Sequence, residues 1–304
     1  MAQITSKQHA WTAVALCAVA GVALMAGHAG AQRSVNQQQV YVSVVDKKGT
    51  PAASLLPTDL TIKEDGTSRE VLTVKPATGP MDIALLVDTS AATASAVVDI
   101  REALKNFAAA IWAKSPESQI ALYTFGERPT LDSDFSSSAV ALNRRLDRLF
   151  SSSGSGAYFV DAVVDVATVL AKRKSARPTM VAYVDENGPD FSNRRHDHAS
   201  DAVAASRASL WTVTRQGFGS SGSTQESRER SMVIGDVPTR SGGRGTIVFD
   251  GTGIKVRLAD VAAQLLSQFE VTYGRPESLI PPERIDVKLT NPDLRLAAPR
   301  WTGK

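Results

Sequence analysis

Hydrophobic and polar positions repeat with two different periods along this chain, and the change of period marks its organisation. Over 38–79 the period is two: Val40, Val42 and Val44 alternate with Tyr41 and Ser43, and Leu60 and Ile62 alternate with Thr61 and Lys63. That is the signature of half-buried strands. Glu64-Asp65-Gly66-Thr67 reads as a hairpin turn, with Val71–Val74 as the return strand. From residue 82 the pattern changes to apolar runs alternating with helical stripes. Ile83–Val87, Ile120–Phe125, Met180–Val184 and Leu210–Thr214 read as strands, the first and third as strands buried on both faces. Between them, Val97, Ile100, Leu104, Phe107 and Ile111 fall at spacings of three and four. Val140, Leu142, Leu146 and Leu149 form a second stripe, and Val160, Val163, Val164, Ala167 and Leu170 a third. Ala202–Ala208 also reads as helical, and Pro129–Phe135 as a short antiparallel edge. Gln216–Gly245, polar and rich in glycine and serine, reads as a long mobile loop before a last amphipathic helix over Val256–Gln268. Residues 269–301 return to period two at Ile285, Val287 and Leu289.

Alternating strands and helices predict a doubly wound, mainly parallel α/β sheet over 80–268. The β segments 32–79 and 269–304 are each too short to bury a face. They are therefore expected to pack together as a small β-sandwich into which the α/β unit is inserted. Residues 1–31 have the order of a signal peptide: Lys7, an apolar run over Trp11–Gly27, and a small-residue cleavage site at Ala29-Gly30-Ala31. This predicts export to the periplasm or beyond, and no membrane span in the mature chain once the signal is cleaved. The single cysteine, Cys17, lies in that segment, so the mature chain needs no disulfide. A net charge of +3, from scattered basic residues, is too small to imply nucleic acid.

The stretch Asp82–Ser90, DIALLVDTS, ends a buried strand in polar residues, at the position where open α/β sheets bind ligands. Strand, acidic turn and following helix resemble the start of a von Willebrand factor type A domain. With Lys63-Glu64-Asp65-Gly66 before it and Gly242-Gly243 before the last helix, the chain is similar to a secreted group described from acidobacteria. The resemblance implies a Rossmann-like fold, protein–protein binding rather than catalysis, and an adhesion site built on one divalent ion. The family's first metal loop is Asp-x-Ser-x-Ser. Here Asp88 and Ser90 are kept, but Ala92 replaces the second serine. Ala157, in Gly156–Asp161, stands where the family offers threonine, and Asp185 keeps the third-loop aspartate.

Two lost hydroxyls predict a degenerate site at Asp88, Ser90 and Asp185, with Mg²⁺ or Mn²⁺ held weakly if at all, because hard ions depend on ligand number. Ser155, Glu186 or Asp190 could substitute as ligands, whereas in a vestigial site Asp88 and Ser90 would bond loop backbone or cap the next helix. Asp88 and Asp185 would then stand together without a cation between them. The partner-binding surface is expected at the same strand ends, on Gly156, Tyr158 and Glu186, with tyrosine a common hot-spot residue.

Three other motifs carry chemistry. His196 and His198, the only mature histidines, lie in a polar stretch with Asp190 and Asp201 nearby. That composition reads as a solvated loop, with metal binding as the alternative. Gly217–Gly222 matches GxGxxG, and Asp236 lies at the distance of a ribose contact, but Ser223–Arg230 lacks the apolar helix the fingerprint needs. No GxSxG or HExxH is present. The reading is an exported, non-enzymatic, adhesion-type module with a protein partner. One alternative is a hydrolase or nucleotide-dependent enzyme using the His196–His198 or Gly217–Gly222 loop. Another is a structural component of a cell-envelope assembly.

Overall fold

The computed structural model describes residues 35–217, 224–276 and 280–301. The segment read as a signal peptide and most of the Gly217–Gly222 motif lie outside these residues.

A six-stranded sheet forms the centre. In chain order its strands are β5 (Asp82–Val87), β6 (Gln119–Thr124), β7 (Thr130–Ser136), β8 (Pro178–Asp185), β9 (Ser209–Arg215) and β10 (Gly245–Val248), and the spatial order is β10-β9-β8-β5-β6-β7. All neighbours are parallel except β7, which runs antiparallel to β6 at the edge. Strand β5 shows why the central run is apolar throughout. Ile83, Leu85 and Val87 face a core built with α1 (Val97–Lys114), α2 (Ala139–Asp147) and α6 (Gly251–Leu266). Ala84 and Leu86 face a second core built with α3 (Phe159–Arg173), α4 (His196–Ser206) and α5 (Gln225–Ser241). Each fully buried Leu or Val side chain contributes roughly 1.5–3 kcal/mol.

The flanking segments meet in a second unit. Strand β1 (Val35–Val45) lies between β11 (Phe269–Pro276) and β13 (Arg295–Ala297), with β4 (Val71–Pro76) on the far side of β11. Strands β2 (Leu60–Glu64), β3 (Thr67–Arg69) and β12 (Ile285–Leu289) make the facing sheet. Val42, Val44, Val271, Leu60, Ile62 and Ile285 share one core between the two sheets.

Two expectations are corrected. The hairpin at Asp65-Gly66 has both residues at positive φ (45° and 83°), but its return strand is Thr67–Arg69. Val71–Pro76 instead crosses to the other sheet, where Val74 and Val71 pair with Val271 and Tyr273. Within Gln216–Gly245, residues 225–241 are helical rather than loop. Thr224 caps the helix by accepting the Ser227 N–H at 3.2 Å, and Gly242 ends it at φ 84°.

Candidate functional site

The carboxyl ends of β5, β8 and β9 converge on Asp88 and Asp185, both buried. Each oxygen of Asp88 accepts a backbone N–H: Oδ1 from Ser90 at 2.8 Å and Oδ2 from Asp185 at 3.1 Å. The first closes the turn after β5, and the second locks β8 to it. Burial pushes the Asp88 carboxyl up to about 6; the two N–H groups partly offset this, and the charge of Asp185 adds to it.

Asp185 has a cation against it. Arg215, the last residue of β9, is its register partner across the parallel β8–β9 pair. Its Nε and Nη2 reach Asp185 Oδ2 at 2.7 and 2.6 Å. The same guanidinium donates to the Ala92 carbonyl at 2.7 Å and to Ser95 Oγ at 3.1 Å, tying the first loop to the third. Asp185 Oδ1 accepts both the backbone N–H and the Nδ2 of Asn187, at 3.0 and 2.7 Å. The two aspartates stand together as expected, and the charge of Asp185 helps raise Asp88; what the sequence did not mark is the guanidinium of Arg215 on Asp185 Oδ2.

A divalent ion does not fit this donor set. Both Asp185 oxygens are committed, one of them to a fixed cation that would repel a metal. Ala92 and Ala157 offer no side-chain oxygen. A Cβ on Gly188 would come within 2.9 Å of the Ala92 Cβ, so the third loop packs against the place of the missing serine. The substitute ligands are occupied as well. Ser155 Oγ donates to the Ser152 carbonyl, and Asp190 accepts the N–H groups of Phe159 and Ser192. Two features suit a cation: the buried Asp88 carboxylate, which has no positive group against it among the described residues, and Ser90 Oγ, which is buried without a hydrogen bond there.

The expected contact residues are distributed differently in the structure. Gly156 is buried, and a Cβ there would strike the Phe191 ring at 2.4 Å. Glu186 is 5% exposed, its carboxylate held by Gln216 Nε2 at 2.6 Å and Ser231 Oγ at 3.0 Å. These two are corrected from surface contacts to packing elements, because the second and third loops fold together through a bridge between Ala157 and Asp190. Tyr158 is half-buried and stacks edge-on against Phe191, ring centres 6.2 Å apart. Phe191 itself is 49% exposed, and no sequence motif marks it.

Helix α5 buttresses the site from behind. Arg230, fully buried, donates to the Gly188 and Glu186 carbonyls at 3.0 and 3.5 Å. Glu229 accepts the His196 N–H at 2.7 Å. His196 and His198 are not in a loop but in the first turn of α4. His196 Nε2 lies 3.2 Å from Asp236 Oδ2, and His198 Nδ1 accepts the Arg195 N–H at 3.3 Å. Among the described residues neither ring bonds a hydroxyl, and no group of three or more His, Cys, Asp or Glu is placed to hold a metal.

Asp88→Asn isolates the cost of the buried charge. Folding raises the Asp88 pKa from 3.8 to about 6, so the folded state binds the proton more tightly. The resulting cost is present in full above pH 6 and is relieved as pH falls toward 4, on the order of 3 kcal/mol in all. Asparagine removes the charge but faces one of the two N–H groups with its NH₂, losing about 1–3 kcal/mol. The variant should match the wild type within about 2 kcal/mol at pH 7 and fall behind it at pH 4.5, because only the wild type gains on protonation. Urea midpoints at both pH values check this; parallel pH profiles would refute it.

A family model described as von Willebrand factor type A domain matches residues 83–205. No curated protein matches the chain. Among solved structures, proximal thread matrix protein 1 from the mussel byssus, described with a zinc-occupied MIDAS motif, is 16% identical with a TM-score of 0.50. The match covers 67% of this chain and 49% of the mussel protein, about half of its length. A von Willebrand factor type A protein from Catenulispora acidiphila is 11% identical, over 88% of this chain and 75% of that one, with a TM-score of 0.49. The vWF domain of the type V pili tip protein Mfa5 from Porphyromonas gingivalis is 10% identical, over 62% and 96%, with a TM-score of 0.47. At these identities the likeness concerns the fold alone. Residues 83–205 of this chain belong to the von Willebrand factor type A family.

Proposed function

We propose that this chain is an exported, non-enzymatic protein-interaction module of adhesion type that binds its partner without a metal ion. Domains of this family are often protein-interaction modules. The observation that carries the metal-free reading is the Arg215 guanidinium on Asp185, beside Ala92 and Ala157. Export rests on the order of Lys7, the apolar run and Ala29-Gly30-Ala31. Among the described residues no helix is long and apolar enough to cross a membrane. The contact surface is the Tyr158–Phe191 aromatic pair at the rim of the strand ends, where an exposed ring offers contact area at small entropic cost.

Photocrosslinking from position 191 in the native cells, followed by identification of the attached protein, tests this reading. One envelope protein should be captured equally with EDTA and with Mg²⁺, and Tyr158→Ala should reduce its capture. Capture that needs Mg²⁺, or that is indifferent to Tyr158, would overturn it.

A further inference from the structure

At the other end of the central sheet, where β8 and β9 begin, a cavity of about 390 Å³ opens between the α/β unit and the β-sandwich. Five consecutive residues of β1, Gln37 to Tyr41, line it. Side chains of a strand alternate between faces, so consecutive residues share one cavity only when it runs along the strand's edge. The pairing agrees. On one side β1 pairs with β11 over Val35–Val42, whereas on the other β13 pairs only with Ser43–Val45. Beyond Ala297 the chain leaves that edge, and Pro299 and Trp301 bridge to Ser241 and Arg284 instead. Among the described residues, the β13-side edge of β1 upstream of Ser43 has no strand beside it.

The charge of the cavity is one-sided. Arg177, Arg207 and Arg275 line it, and among the described residues no aspartate or glutamate does. Arg275 is neutralised by Glu64. Arg177 is 4% exposed and has no carboxylate partner among the described residues; it donates to the Ala77, Gly79 and Leu265 carbonyls and to Gln268, and its Nε is unpartnered. Arg207 is exposed, forms no ion pair among the described residues, and takes φ 57° at the end of α4, a position that favours glycine. The exposed, unpaired Arg207, with the open Nε of Arg177 behind it, stands beside an open strand edge, so the cleft combines backbone pairing with carboxylate recognition.

We propose that this edge binds an extended acidic segment of a partner protein as an added β-strand in line with β13, its carboxylates meeting Arg207 and Arg177. This cleft lies at the opposite end of the sheet from Asp88, so the inference does not rest on the function proposed for that end.

The probe is a capped six-residue peptide alternating glutamate with valine, titrated into the full chain by calorimetry. Its glutamine counterpart and its backbone N-methylated counterpart serve as comparisons. The glutamate peptide should bind about tenfold or more tightly than the glutamine peptide, as charge-assisted bonds require. The N-methylated peptide should not bind, and bound peptide should slow amide exchange within Gln37–Tyr41. Arg207→Gly, which relieves the left-handed position, should weaken binding about tenfold without lowering the melting temperature. Equal affinity for the glutamate and glutamine peptides, binding of the N-methylated form, or no binding at millimolar peptide would each overturn the proposal. So would unchanged exchange at Gln37–Tyr41 or unchanged affinity in Arg207→Gly.

Discussion

Arg215→Met should lower stability by about 3 kcal/mol or more, the loss expected when one member of a buried ion pair is removed. Arg215 is 14% exposed at its side chain and Asp185 is fully buried. Methionine preserves much of the packing but leaves the Asp185 carboxylate with neutral donors only, Asn187 and the Tyr183 hydroxyl at 3.4 Å, and the Ala92 carbonyl loses its donor. Asp185→Asn removes the charge left stranded, so the double variant should recover a large part of the loss. Urea unfolding of the four proteins in a double-mutant cycle measures this coupling. A loss below about 1 kcal/mol in Arg215→Met would place the pair among exposed ion pairs and remove its role as the resident cation.

Glu64→Gln should be comparably damaging, roughly 3 kcal/mol, on the same reasoning about a buried ionic cluster. The Glu64 carboxylate is fully buried in the β-sandwich, where it accepts from Tyr273 Oη at 2.7 Å, Arg275 Nε at 2.9 Å and Arg69 Nε at 2.9 Å. It joins β2 to β3 in one sheet and to β11 in the other. Burial alone would raise its pKa, but the hydrogen bonds from Arg275, Tyr273 and Arg69 outweigh burial and hold it below the ordinary value of 4.5. A carboxyl with a lowered folded pKa stabilises fully above its unfolded value and loses that contribution as pH falls through the folded one. Glu64 therefore favours neutral pH, whereas Asp88 favours acid. The Glu64→Gln deficit should be constant above about pH 5 and shrink below pH 4, read from urea midpoints. A deficit that grows on acidification would contradict the cluster.

The sheet was legible because its strands are buried on both faces, and a near-continuous apolar run as short as Ile83–Val87, closed by a polar turn, suits a central strand. The three-dimensional use of α5 was not. Its first half, Gln225–Arg230, carries no apolar stripe because Arg230 and its neighbour Ser231 meet loop carbonyls and Glu186 rather than a hydrocarbon core. Thr224, Gly242 and the pair Val233 and Val237 were the available signals, and Pro238 argued against them. Arg215 carries no signal in the sequence, because an adhesion site is recognised by its oxygen ligands and a guanidinium is not one of them. Once β9 is placed beside β8, Asp185 and Arg215 fall level at the two strand ends, so the pair follows from the sheet order. The burial of Gly156 and Glu186 could not be read in the same way. It depends on two loops, distant in sequence, closing on each other.

Calorimetric titration with Mg²⁺ and with Mn²⁺ tests the central proposal, that Asp185 is served by the Arg215 guanidinium and the chain binds no divalent ion. The wild-type chain should give no saturable heat up to millimolar ion. The combined variant Ala92→Ser, Ala157→Thr and Arg215→Met restores both hydroxyls and removes the competing charge, and it should bind the ion saturably. Saturable micromolar binding by the wild type, abolished by Asp88→Asn, would contradict the account.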